Sequence, residues 1–116
     1  SNNLLGSQTA FADKLRAATA FIGLTADPLE HALYLTKRAK ANANGDPFDI
    51  LALFRNRITH HKKAFSYSGV EIMEAWLLSQ WLCELLVFFL LGYRGEMNDR
   101  RRYKGWRGPT VPVPLS

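Results

Sequence analysis

The chain has 116 residues, 47% hydrophobic and 22% charged, which implies one domain with a single modest core and excludes global disorder. Its formal charge of +5 is uneven, since six cations face only two carboxylates from Gly92 onward. Cys83 is the only cysteine, which excludes an intrachain disulfide and a paired-cysteine metal site and fits a reducing cytoplasm; no metal or cofactor is expected.

The chain opens at Ser1 without methionine or a charged-then-apolar leader, so a piece of a longer protein is expected, with residues 1–8 a disordered or extraneous lead. A first helix is expected from Thr9 to Ile22, because Phe11, Leu15, Ala18 and Ile22 recur at helical spacing and Gly23 is a natural stop. A second is expected from Asp27, with Pro28 at its first position and Glu30 completing a box-like cap, reaching Asn42. Asn44-Gly45-Asp46-Pro47 is turn chemistry followed by a third start, capped by Asp46. In this third helix Ile50, Leu51, Phe54 and Ile58 form an apolar stripe, which leaves Arg55, Asn56 and His60 beside the core or outside it.

Residues 62–69 read as a loop, Ser68 and Glu71 as a capping box, and the fourth helix runs to Leu91 with Gly92 as its stop. The stretch from Trp76 to Leu91 is apolar on nearly every side, yet Ser79, Gln80 and Glu84 interrupt it, and only 85–91 is continuous. That falls short of the roughly 20 residues a membrane span needs, so a central bundle helix, without membrane association, is expected. Trp76 and Trp81 on this helix read as core rather than as a ligand platform. Beyond Gly92 the residues Pro112-Val113-Pro114 exclude a further helix and imply an extended or irregular tail. The expected architecture is therefore an all-α, up-and-down bundle of four main helices over residues 9–92, with an extended basic tail over 93–116 packed on it.

The chemistry sits in Arg55-Asn56-Arg57-Ile58-Thr59-His60, followed by His61. A histidine exchanges protons near neutral pH and an arginine holds phosphoryl oxygens, so His60 and Arg55 suit acid–base chemistry on a phosphodiester. Asn56 and His60, four residues apart, share a helical ridge, and Asn56 can fix the imidazole; Arg55 lies about 140° round the helix from His60. Either the long arginine swings round, or a second copy of the helix completes the site in a symmetric dimer. The bland alternative is that these side chains form a solvated face or pair with Asp49 and Glu30.

Arg-Asn, three residues and His on the third helix of a small bundle resembles the signature of the HEPN superfamily of ribonucleases. Trp76, the run 82–91, Gly92-Tyr93, Gly95, Asn98-Asp99-Arg100, Trp106 and Val111-Pro112 resemble the ApeA-like HEPN domain, so the similarity covers roughly Leu29 to the end. The resemblance implies a metal-independent, dimeric endoribonuclease with its site at the dimer interface. Arg55, Asn56 and His60 would be catalytic, with His61 the alternate histidine, and the ends left would be a 2′,3′-cyclic phosphate and a 5′-hydroxyl. It also implies the C-terminal effector of a bacterial anti-phage protein, cytoplasmic and acting on tRNA or single-stranded RNA, joined to an N-terminal regulatory region.

Arg57, Lys62 and Lys63 extend a basic patch past the motif, and Arg100, Arg101, Arg102 and Lys104 mix with aromatic rings as RNA-binding segments do. The competing reading has Tyr103 and Trp106 pinning the tail while its arginines are solvated or pair with Glu96, Asp99 and helix carboxylates. His31, beside Glu30, assists proton transfer only if its helix faces the motif. The alternative function is a non-catalytic nucleotide- or RNA-binding and dimerisation module of the same fold.

Overall fold

The structure, a computed structural model, describes residues 2–60, 68–102 and 110–116; at 2–9 and 57–60 it describes the backbone alone. Four helices, α1 (Asn2–Phe21), α2 (Leu33–Asn42), α3 (Pro47–His60) and α4 (Gly69–Leu91), are followed by two short strands, β1 (Glu96–Asn98) and β2 (Thr110–Pro112). They form the expected all-α, up-and-down bundle, in which α1 packs on α3 and α2 lies against both α3 and α4.

Where the signals are local, the elements start and stop as expected. Asp46 caps α3, its Oδ1 accepting from the amides of Phe48 (2.8 Å) and Asp49 (3.1 Å). Ser68 and Glu71 form the reciprocal capping box of α4, and Gly92 ends the helix at φ 71°, a left-handed angle that glycine adopts without a Cβ penalty.

Two boundaries differ. The first helix begins at Asn2, seven residues before Thr9, so the lead expected to be disordered carries helix. The second begins at Leu33, not Asp27. Asp27 instead closes a turn, accepting from the Leu29 amide through its side chain and from the Glu30 amide through its carbonyl. The helix proper starts behind Ala32, which has no capping side chain, and Glu74 of α4 takes that role by accepting from the Leu35 amide at 2.6 Å. A carboxylate from another helix thus substitutes for the missing local cap.

Glu71 also reaches α2, where its two oxygens take the guanidinium of Arg38 at 2.7 and 3.0 Å. The Arg38 hydrogen bond, and then the Ser68 backbone, hold its carboxyl down at about 2, against an ordinary 4.5 and against the opposing effect of burial. At the other end of the bundle Arg16 of α1 pairs with Asp13, Asp46 and Asp49, which ties α1 to the first turn of α3. The Asp13 hydrogen bond, followed by the charges of Asp46 and Asp49, raises the Arg16 pKa further.

The core lies between α2, α3 and α4, where Leu35, Ile50, Leu78, Trp81 and Leu85 are fully buried. Each such aliphatic side chain contributes about 2 kcal/mol on removal from water. The inward line of α1 runs through Ala12, Thr19 and Ile22, while Phe11 and Ala18 are half-buried. By length and composition α4 is the one helix among the described residues that could cross a membrane, but its Leu78, Trp81, Leu82 and Leu85 form the centre of this core.

The tail is more ordered than its prolines suggest. Strands β1 and β2 pair antiparallel, with Met97 opposite Val111. Leu115 then bridges to Leu24, and the Ser116 amide donates to the Gly23 carbonyl at 2.8 Å. Met97, Val113 and Leu115 are buried against the bundle.

Two stability predictions follow from these contacts. Because the Glu71 pKa is depressed in the fold, its stabilisation is present above the ordinary glutamate value and is lost as the pH falls from there through 2. Glu71→Gln should cost about 2 kcal/mol at pH 7 in urea unfolding, and parent and variant should converge near pH 2. Gly23 has φ 74°, and an added Cβ would run into the Ser116 side chain, so Gly23→Ala should cost about 1–2 kcal/mol in the same measurement.

Candidate functional site

Two sides of α3 are enclosed. Ile50, Leu51 and Phe54 turn into the core, and on the opposite side of the helix Ala52 and Asn56 are buried as well: Asn56 is 3% exposed and engaged in an interaction. This corrects the expectation that Asn56 lies beside the core or outside it: Asn56 stands one turn beyond the fully buried Ala52, on a side of α3 that is enclosed although it is not the apolar stripe. A buried amide must be satisfied, so Asn56 is a fixed element of the fold.

Arg55 projects the other way. It is exposed, and its guanidinium carbon lies 4.7 Å from the centre of the Phe11 ring on α1. Among the described residues no carboxylate pairs with it: Asp49 is taken by Arg16, while Glu30 faces His31 and Arg101. The bland pairing of the motif with these two acids is therefore not what the structure shows for Arg55. A cation stacked on one aromatic face, with no carboxylate partner among the described residues, is placed to meet an anionic ligand.

Arg55 stands at a groove of about 500 Å³ between α1, α3 and α4, whose wall is otherwise largely apolar: Phe11, Leu51, Trp76 and Leu86 contribute to it. Trp76 is not a core residue, as the sequence implied, but 58% exposed, while Trp81 is wholly buried. The reason is the uniformity of α4: apolar on almost all sides, it buries only the side that meets α2 and α3. Met73, Trp76, Val87, Leu90 and Leu91 remain exposed along the outer side. Cys83 is exposed and also borders the groove.

His60 is the last residue of α3, one turn beyond Asn56, and Arg57 lies on the same helix; the side chains of both are outside the described residues. His61, Lys62, Lys63 and Lys104 also lie outside the described residues, as do Tyr103 and Trp106.

The tail arginines divide. Arg101 is no RNA-binding side chain: it is 6% exposed, its Nε lies 3.1 Å from buried Asp99, and its guanidinium lies 3.9 Å from the Trp81 ring centre. Its Nη1 also donates to the Asp27 carbonyl. This guanidinium pins the tail to the bundle, a role the competing sequence reading gave to Tyr103 and Trp106 while allowing the pair with Asp99, and it stacks on a tryptophan whose Nε1 has no hydrogen-bond partner among the described residues. Arg100 pairs with Glu84 at 2.9 Å and stays exposed, and Arg102 is half-buried without a carboxylate partner among the described residues.

His31 does not join the motif. It sits in the turn before α2, with Nε2 3.7 Å from Asp99 and 3.9 Å from Glu30. It borders a separate cavity that no described α3 residue lines. Pairing of Asp99 with a tail arginine was visible in the sequence; its burial, at 2% exposed, was not.

These features define a small helical bundle domain with a cation-headed apolar groove on one side and a clamped tail on the other. The chain belongs to the YopA C-terminal domain family, which its residues 3–111 match. No curated protein and no solved structure matches it significantly.

The clamp yields a measurable contrast. Arg101→Ala should lower the free energy of unfolding by about 3 kcal/mol, the cost of leaving a buried carboxylate unpaired. Arg100→Ala, which breaks an exposed pair, should stay within about 0.5 kcal/mol in parallel urea titrations.

Proposed function

We propose that this domain is a metal-independent endoribonuclease of the HEPN type, acting on tRNA or single-stranded RNA as the effector of a bacterial anti-phage defence system. The observation that carries the reading is Arg55: exposed, free of carboxylate partners among the described residues, stacked on Phe11, and placed in the same short motif as a buried Asn56 and His60. The defence role rests on the resemblance to ApeA-like domains.

In this reading His60 takes the proton from a ribose 2′-hydroxyl, the 2′-oxygen attacks the adjacent phosphorus, and the bond to the 5′-oxygen breaks. Arg55 neutralises the charge that gathers on the non-bridging oxygens. Proton return to the leaving oxygen gives a 5′-hydroxyl, and the other fragment ends in a 2′,3′-cyclic phosphate. Asn56, held in the interior, keeps the last turn of α3 in register so that the imidazole meets its substrate in one orientation. Arg57, Lys62, Lys63, Arg100, Arg102 and Lys104 supply phosphate contacts along the strand; buried Arg101 is left out.

A single α3 sets Arg55 and His60 about 140° apart, so a homodimer with the site at its interface is part of the proposal. The exposed apolar ridge of α4, Met73, Trp76, Val87, Leu90 and Leu91, supports self-association. The second reading, a non-catalytic nucleotide- or RNA-binding and dimerisation module, is favoured by one observation: burial of Asn56 also suits an amide retained only for packing.

The deciding experiment incubates the protein with tRNA and with single-stranded RNA in excess chelator and maps the product ends. Cleavage leaving cyclic-phosphate ends is expected from the parent, with a fall of about 100-fold or more in Arg55→Ala and His60→Ala. Binding with the RNA left intact would favour the non-catalytic module.

A further inference from the structure

We propose that the cavity beside His31 is a binding site for a small organic anion, an apolar body carrying one carboxylate or phosphate group. The cavity, about 620 Å³, is formed by the turn before α2, the first turns of α4 and the end of the Asp99–Arg102 segment. That volume is in the range of small-molecule sites, which are apolar with a few convergent polar groups.

Val70, Met73 and Leu77 supply an apolar wall, and the first two are about half exposed (49% and 46%), so the wall is open to solvent. Three polar side chains converge on it with hydrogen-bonding capacity in reserve. Arg102 has no acceptor for its guanidinium among the described residues. His31 Nε2 is beyond hydrogen-bond distance of both neighbouring carboxylates. Glu74 commits Oε1 to the Leu35 amide, which leaves Oε2 for a donor on the ligand.

Charge decides the sign of the ligand. Arg101 also borders the cavity, but Asp99 neutralises it and locks it in place. The Glu74 charge is compensated at the N-terminus of α2. What remains is the Arg102 cation together with the first amides of α4, at Gly69 and Val70, which precede the first intrahelical bond of that helix. An anionic group meets Arg102 and these amides while the apolar body lies on Val70, Met73 and Leu77. Among the described residues this site shares no lining residue with the Arg55 groove; the ribonuclease reading also uses Arg102 as a phosphate contact, so Arg55→Ala, which should stop RNA cleavage and leave this site intact, tells the two apart.

The test is an amide-resolved NMR titration of the whole chain with phenyl phosphate, benzoate and inorganic phosphate. Shifts at Gly69, Val70 and Arg102 with phenyl phosphate or benzoate are expected, and the tighter of the two identifies the head group. Arg102→Ala should weaken binding about tenfold, as loss of a charge-assisted hydrogen bond does. Val70→Asp, an acidic residue in the first turn of a helix, should fold as the parent does and bind neither probe; Arg55→Ala should bind both unchanged. Equal binding of inorganic phosphate would overturn the need for an apolar body. Absence of shifts at these amides, or parent-like affinity in Arg102→Ala and Val70→Asp, would overturn the site.

Discussion

The arrangement of this bundle depends on two carboxylates in the first turns of α4. Glu71 closes the capping box of its own helix and holds Arg38 of α2 through both oxygens. Glu74, one turn on, completes the N-terminus of α2 by accepting from Leu35. One helix therefore supplies both a clamp and a cap to another. A buried carboxylate such as Glu71 is costly unless satisfied, and its bidentate pair with Arg38, like the bond of half-buried Glu74 to the Leu35 amide, forms when α2 and α4 lie in this register. With that register set, Leu35 of α2 is delivered to the same core as Trp81 and Leu85 of α4.

The elements legible in the sequence are those whose determinants are neighbours in the chain. Asp46 before Pro47, Ser68 three residues before Glu71, and Gly92 after an apolar run each act within one helical turn. The start of α2 was not legible, because Asp27 and Pro28 carry a start signal that the fold spends on a turn, while the working cap is 39 residues downstream of the amide it serves. The exposure of Trp76 was hidden for another reason: a helix apolar on all sides offers no stripe from which an inner side can be told. The strands β1 and β2 are three residues each, too short for alternation to register against the adjacent prolines.

The motif was legible as chemistry before it was legible as geometry. Residue types and spacing marked Arg55, Asn56 and His60, but the different placement of Arg55 and Asn56, one toward the groove and one toward the interior, follows from α3 being enclosed on the Ala52 side as well as along Ile50, Leu51 and Phe54, which leaves Arg55 on the open arc. Neighbouring residues a hundred degrees apart on a helix cannot share an environment. In the tail, by contrast, a run of arginines that looks uniform divides among three situations: Arg100 on the surface with Glu84, Arg101 stacked over Trp81, and Arg102 at a cavity. Pairing with Asp99 and a helix carboxylate, visible as an option from the residue order alone, is the part that the structure realises.

The bridge between Leu24 and Leu115, with Ser116 on the Gly23 carbonyl, joins the turn after the first helix to the last residues of the chain. On the ribosome, where synthesis runs from the N-terminus, all four helices emerge and can pack before that bridge has its second half. The side of the core later covered by Met97, Val113 and Leu115 stays open until the segment carrying them has cleared the exit tunnel. The helices of this domain are thus made before the segment that covers them, and a nascent chain stalled ahead of Val113 would present that uncovered apolar side to chaperones.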